Sequence, residues 1–284
     1  MPTFPIIDTH LHVWDPARLN YPWLAPLPLL NRAYLPADYA AACGALQVEQ
    51  MVFVQAEADF AQFREETAWV SNLAEQERRL GGIVSWAPLE RGDAARDDLE
   101  QLARNPLVKG VRRIIQFEED IAFCLRPGFM QGVQALPDYG LSFDLCINHL
   151  QLANTIELVR RCPKVQFILD HIGKPDIKHQ LDEPWKRELR TLASLPNVWC
   201  KLSGLVTEAD HRHWQPTDLR PYIEHVIAVF GFDRVMFGGD YPVILLAASL
   251  PRWVAALDEV LAGCSAGELL KLYRENARAF YRLR

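Results

Sequence analysis

The stretch Phe4-Pro5-Ile6-Ile7-Asp8-Thr9-His10-Leu11-His12 decides how this chain is read. Phe4 to Ile7 is a short apolar run of the kind that forms a buried strand, and Asp8-Thr9-His10-Leu11-His12 closes it. In a strand, side chains two apart share a face, so His10 and His12 project the same way. A similar pattern recurs near the other end, where Arg234 to Phe237 runs into Gly238-Gly239-Asp240-Tyr241-Pro242. A third apolar run, Val165 to Leu169, leads to His171. Imidazoles and a carboxylate at strand ends suit a metal-binding or water-activating site, provided the fold brings those ends together.

Working outward, further apolar runs read as strands: Met51–Val54, Gly82–Trp86, Val108–Ile115, Leu141–Ile147 and Val198–Leu202. With the three above they make eight, spaced roughly 25 to 45 residues apart, the size of one strand-plus-helix unit. They are apolar on both faces, as parallel strands covered by helices must be. Helix-like periodicity fills the gaps over Ala61–Arg79, Asp93–Ala103, Gln151–Cys162, Trp185–Leu192 and Pro221–Phe230. Ser265 to Tyr281 reads as a basic amphipathic helix packed on the outside. Eight alternations predict an α/β fold, the (β/α)8 TIM barrel, with the site at the C-terminal ends of the strands. A doubly wound sheet usually carries a glycine-rich phosphate turn after its first strand, and His-x-His stands there instead. One domain over residues 1–284 is expected.

The first connection, residues 13–36, is long and holds Trp14, Tyr21, Trp23 and Tyr34 with Pro16, Pro22, Pro26, Pro28 and Pro36. A stiff aromatic loop above a barrel mouth reads as a lid that stacks on a sugar ring, or as a plug on the rim.

The formal net charge of −6 argues against nonspecific nucleic-acid or anionic-membrane binding. Six cysteines, irregularly spaced and without a C-x-x-C pair, read as reduced thiols. No signal-like leader and no apolar run of membrane-spanning length is visible, so a cytoplasmic location is expected.

Asp240 is the first candidate for catalysis. A carboxylate after an apolar strand is costly to desolvate unless it has a partner or a task. His171 is the second, with Asp170 placed to orient it. His10, His12, His171 and Asp240 would hold a metal if one is bound. Substrate contacts are expected from Trp14 and Trp23 in the loop and from Gln55, Arg112, His149, Lys174, Lys201 and Ser203 near strand ends. One of Arg112 and Arg113 should point inward, as a substrate clamp or in an ion pair. Cys146 reads as an inert buried thiol, and His211-Arg212-His213 as solvated surface.

Three segments together resemble the amidohydrolase superfamily, in the branch called amidohydrolase family 2: Asp8 to His12, Leu169-Asp170-His171-Ile172-Gly173-Lys174-Pro175, and Phe237 to Pro242. Val13-Trp14-Asp15-Pro16, Tyr21-Pro22-Trp23-Leu24 and Lys201-Leu202-Ser203-Gly204-Leu205 are similar to its sugar-lactonase group, that of L-fuconolactonase and L-rhamnonolactonase. The resemblance implies a (β/α)8 barrel that hydrolyses an aldonolactone in sugar-acid catabolism. It also implies, for the superfamily, a two-metal set with a histidine from the fifth strand. Here that strand ends Asp144-Leu145-Cys146-Ile147-Asn148, so at most one divalent ion, such as zinc, is expected, with none required.

The resulting expectation is a carboxylic ester hydrolase. Asp240 takes a proton from water as it attacks the lactone carbonyl. His171, Arg112 or an ion at His10 and His12 supports the oxyanion. The rival readings are a metal-dependent aromatic-acid decarboxylase, a lactonase for muconolactones or dicarboxylates, and a noncatalytic sugar-binding barrel.

Overall fold

Eight parallel strands pair in chain order in the computed structural model, which describes residues 2–284. They are β1 (Ile6–Leu11), β2 (Val48–Val54), β3 (Leu80–Ser85), β4 (Val108–Val111), β5 (Ser142–Leu145), β6 (Phe167–Leu169), β7 (Val198–Leu202) and β8 (Val235–Phe237). The sheet curls until its ends meet. Asp240 N–H donates to the His10 carbonyl at 2.7 Å, and His12 N–H to the Tyr241 carbonyl at 2.8 Å. The chain is thus the expected (β/α)8 barrel, and its closing seam runs through the two segments that carry His10, His12 and Asp240.

The principal helices are α1 (Pro36–Cys43), α2 (Phe63–Gln76), α3 (Arg96–Ala103), α4 (Pro127–Ala135), α5 (Leu152–Arg161), α6 (Trp185–Ala193), a short α7 (Leu205–Glu208), α8 (Pro216–Phe230) and α9 (Leu250–Val260). The sequence reading omits α1, α4, the short α7 and α9; the polar faces of α1 and α4 are too small to show a clear period. In α4 the cause is close packing: a Cβ at Gly132 would strike the Leu89 backbone. That glycine lets α4 lie directly on the segment Leu89–Ala95.

The C-terminal helix departs from expectation. Its turns, α10 (Ala266–Leu270), a π-helical turn at Lys271–Glu275 and α11 (Asn276–Tyr281), follow one another without a break. Instead of lying wholly outside, α11 packs Ala277, Phe280 and Tyr281 against Ile7, Val52, Val54, Val84, Ile168 and Met236. Tyr281 is fully buried and its hydroxyl donates to Asp144 Oδ2 at 3.1 Å. The helix therefore plugs the floor of the barrel, because the strand interiors there are apolar and need a cover.

The loop after β1 settles as a packed rim. Trp14 is fully buried, and its indole N–H donates to the Leu30 and Arg32 carbonyls. Its ring stands edge-on to Trp23 at 5.2 Å and to Tyr34 at 5.6 Å. No helix among the described residues is long and apolar enough to cross a membrane.

Replacing Tyr281 with alanine removes the plug's largest fully buried ring. The expected loss of stability is about 3–5 kcal/mol, read from the denaturant midpoint. A loss below about 1 kcal/mol would show that α11 is not part of the core.

Candidate active site

His10 faces inward because β1 does not pair evenly with β2. The register slips between Asp8 and Leu11, and such a bulge re-aims the side chains that follow it. Both Ile7 and His10 thereby reach the interior. Asp8 locks the bend. It is fully buried, and Oδ1 accepts from the backbone N–H of His10 at 3.0 Å and of Gly239 at 2.7 Å, while Oδ2 accepts from the Tyr39 hydroxyl at 2.8 Å. Burial still pushes its carboxyl up to about 6. A side chain at Gly239 would collide with Asp8, so this close approach requires glycine. Five non-glycine residues near the strand ends hold positive φ: Glu57, His171, Ile172, Lys174 and Asp240. Such strain collects where a fold over-determines a functional side chain.

Asp240 stands at the centre of the imidazoles. Its Oδ1 lies 3.5 Å from His12 Nε2 and 3.8 Å from His10 Nε2. The His10 and His171 rings are 4.4 Å apart. His12 Nδ1 is 2.7 Å from the Val54 carbonyl, which only accepts, so Nδ1 carries the proton and Nε2 keeps a lone pair toward Asp240. His10 Nδ1 lies 3.4 Å from Asp170 Oδ1 and 3.5 Å from Lys201 Nζ. Burial lowers the pKa of His10, His12 and His171, so all three are neutral at pH 7. Burial alone would raise the Asp240 carboxyl; positive charge facing it, at Lys174 and at His171 or His12 when they carry an extra proton, holds it below its ordinary value.

Two lone pairs and a carboxylate turned toward one point fit a single divalent ion. Donor atoms of His10, His12 and Asp240 lie within 4.8 Å of one another, and His12 Nδ1 is fixed by an acceptor behind it, as in zinc ligands commonly. The His10 Nε2 lone pair also accepts from Arg112 Nη1 at 3.2 Å. An ion bound by all three residues takes that lone pair from Arg112. A second group of this kind, His10, Asp170 and His171, shares the His10 ring.

Beneath the imidazoles lies a buried charge cluster. Lys201 Nζ donates to Asp144 Oδ2 at 2.5 Å and lies 3.0 Å from Asp170 Oδ1. Arg112 Nη1 is 3.4 Å from Asp170 Oδ2, and Nη2 donates to the Gln55 carbonyl at 2.5 Å. Asp144, Asp170 and Lys201 have no exposed surface, and Arg112 almost none. Burial pushes Asp144 up to about 6. Asp170 stays ionised despite its burial, because Lys201, His10 and Arg112 surround it.

The predicted residues divide accordingly. His10, His12, His171 and Asp240 converge as expected. Arg112 is the inward arginine, and its contacts are an ion pair rather than an open clamp; Arg113 turns to Glu118 and Glu90. His149 and Lys174 line a rim cavity with Gln116, Asn148 and Glu208, and Lys174 pairs with Glu208 at 3.6 Å. Trp23 is partly buried beside a second rim cavity. Three of the expected substrate residues are enclosed rather than open at the mouth. Trp14 is buried under the loop, Lys201 is enclosed by its two aspartates, and Gln55 spends its amide on Glu57. Ser203, also buried, meets His171 Nδ1 at 2.9 Å. Cys146 is buried and its thiol is pushed up to about 11, consistent with an inert role. Glu208 and Tyr281 escaped the sequence reading. Glu208 sits in a short helix past β7, and Tyr281 reaches the cluster from the opposite end of the barrel.

Comparison with known proteins agrees with this site. Residues 7–283 match the family described as Amidohydrolase, so the chain belongs to the amidohydrolase family of enzymes. An L-fucono-1,5-lactonase of Burkholderia multivorans is 36% identical over 290 residues, covering 98% of this chain and 96% of the relative. The Sinorhizobium fredii protein y4mH is 32% identical over 300 residues, covering all of both chains. A Burkholderia multivorans amidohydrolase crystallised with bound zinc superposes with a TM-score of 0.87 at 34% identity, over 99% of this chain and all of that one. The resemblance drawn from the three motifs therefore holds.

Removing Lys201 leaves the buried Asp144 without a cation and Asp170 with Arg112 alone. Lys201→Met is expected to cost about 3–5 kcal/mol of stability, measured by denaturant unfolding. A variant as stable as the parent would show that the cluster does not need the ammonium.

Proposed function

We propose that the protein is a lactonase that opens the ring of an uncharged, hydroxylated lactone of the aldonolactone class. One observation carries this reading: the reactive carboxylate, Asp240, faces the imidazoles under a mouth whose cations are already paired. Arg112 is held by Asp170, Arg113 by Glu90 and Glu118, and Lys174 by Glu208. Anionic lactones find no uncommitted guanidinium or ammonium in that set, which weakens the muconolactone and dicarboxylate reading. The B. multivorans relative, named an L-fucono-1,5-lactonase, supports the same substrate class.

Aspartate is ionised at neutral pH and can serve as a base. Asp240 accepts a proton from water as the water oxygen bonds to the lactone carbonyl carbon. The tetrahedral oxyanion then collapses, the ring carbon–oxygen bond breaks, and the proton passes from Asp240 to the departing ring oxygen. A hydroxy acid results. Ser203 Oγ lies 2.9 Å from His171 Nδ1; in the tautomer where the hydroxyl donates, Nε2 carries the proton and can meet the oxyanion. His10, His12 and Asp240 would hold a divalent ion, which would supply Lewis-acid polarisation and lower the pKa of a water there. Esters are easier to cleave than amides, so these few groups suffice.

Asp240→Asn keeps the shape and removes the base. Turnover of a sugar lactone, followed with a pH indicator, should fall about 10²–10⁴-fold; near-parental activity would remove Asp240 from the mechanism. Dialysis against zinc followed by metal analysis should find one equivalent per chain. His12→Ala should bind zinc far more weakly, and equal loading of the two would show that the ion sits elsewhere.

A further inference from the structure

Glu57 is held in place more firmly than a turn requires. It follows β2 by three residues, just past Val54, whose carbonyl fixes His12. Its backbone is left-handed, with φ at 55°. Asparagine and glycine adopt that conformation more readily than glutamate. The side chain of Gln55, fully buried, clamps it at both ends. Gln55 Oε1 accepts from the Glu57 backbone N–H at 2.7 Å, and Gln55 Nε2 donates to Glu57 Oε1 at 2.7 Å. Among the described residues no donor meets the second oxygen, Oε2. Glu57 lines a cavity of about 280 Å³ with Pro22, Trp23, Ala58, Asp59 and Phe60. The Trp23 indole is also fixed, donating to the Ala56 carbonyl at 2.8 Å.

A flat apolar ring beside a carboxylate with a free oxygen matches the chemistry of a sugar. Carbon-bound hydrogens lie against the indole, and hydroxyls donate to the carboxylate. We propose that Glu57, with Trp23 beside it, determines specificity at this site by accepting hydrogen bonds from ring hydroxyls of the lactone. The proposal rests on the lactonase reading. A residue that only shaped the turn would need neither a carboxylate nor an opening to the cavity. The buried Gln55 clamp pre-sets the oxygen before substrate arrives, so little ordering is required on binding.

The test compares L-fucono-1,5-lactone with δ-valerolactone, which shares the six-membered ester ring and lacks the hydroxyls. In Glu57→Gln, kcat/KM should fall about tenfold or more further on the fuconolactone than on δ-valerolactone, mostly through KM. Glu57→Asp, which keeps the carboxylate, should recover part of that difference. Melting temperature and δ-valerolactone turnover report whether each variant is folded. Equal losses on the two lactones, no loss on either, or a parental preference for δ-valerolactone would overturn the assignment of Glu57. Failure of the parental protein to open either lactone would overturn the lactonase reading itself, and this inference with it.

Discussion

Charge neutrality inside the barrel is the constraint on which the rest depends. Asp144 and Asp170 are fully buried, and Lys201 and Arg112 supply the two cations that make their burial tolerable. Isolated charges in such a place cost far more than a domain's net stability. The cluster joins the two ends of the barrel. Below, Asp144 accepts from Tyr281 of the helical plug. Above, Asp170 faces His10 Nδ1 and orients that ring toward Asp240. The chain's final helix and its first strand are thus coupled through four buried side chains.

The same economy shapes the mouth. Positive groups near the strand ends are committed to acidic partners, and Glu57 leaves one oxygen open. Asp240 has the imidazoles of His12 and His10 as its nearest partners. Neutral imidazoles leave its charge available to a proton or an ion. Positive φ at Asp240 and His171 records what the backbone gives up to aim them, and the approach of Gly239 to Asp8 makes the bend possible. The Burkholderia multivorans amidohydrolase, 34% identical, was crystallised with bound zinc.

Much of this was legible in the chain, because strand ends announce themselves. Asp8 to His12, His171 and Asp240 each follow an apolar run, and a parallel barrel must gather such ends at one rim. What stayed hidden depends on distances between elements. Nothing in Lys201-Leu202-Ser203 says that the lysine lies between two aspartates from other strands. Tyr281 occupies one turn of an amphipathic helix, and its periodicity does not reveal that it enters the barrel floor. Trp14 and Trp23 look alike in sequence; burial of one beneath the loop separates them. The inward turn of Arg112 over Arg113 follows from strand parity, which a single misplaced residue reverses.

The central claim is that paired cations leave this mouth suited to a neutral lactone. Measuring kcat/KM at low ionic strength for a neutral aldonolactone and for a carboxylate-bearing muconolactone tests it most directly. A preference of about a hundredfold or more for the neutral ring is the expected result. Faster turnover of the anionic lactone would contradict the account.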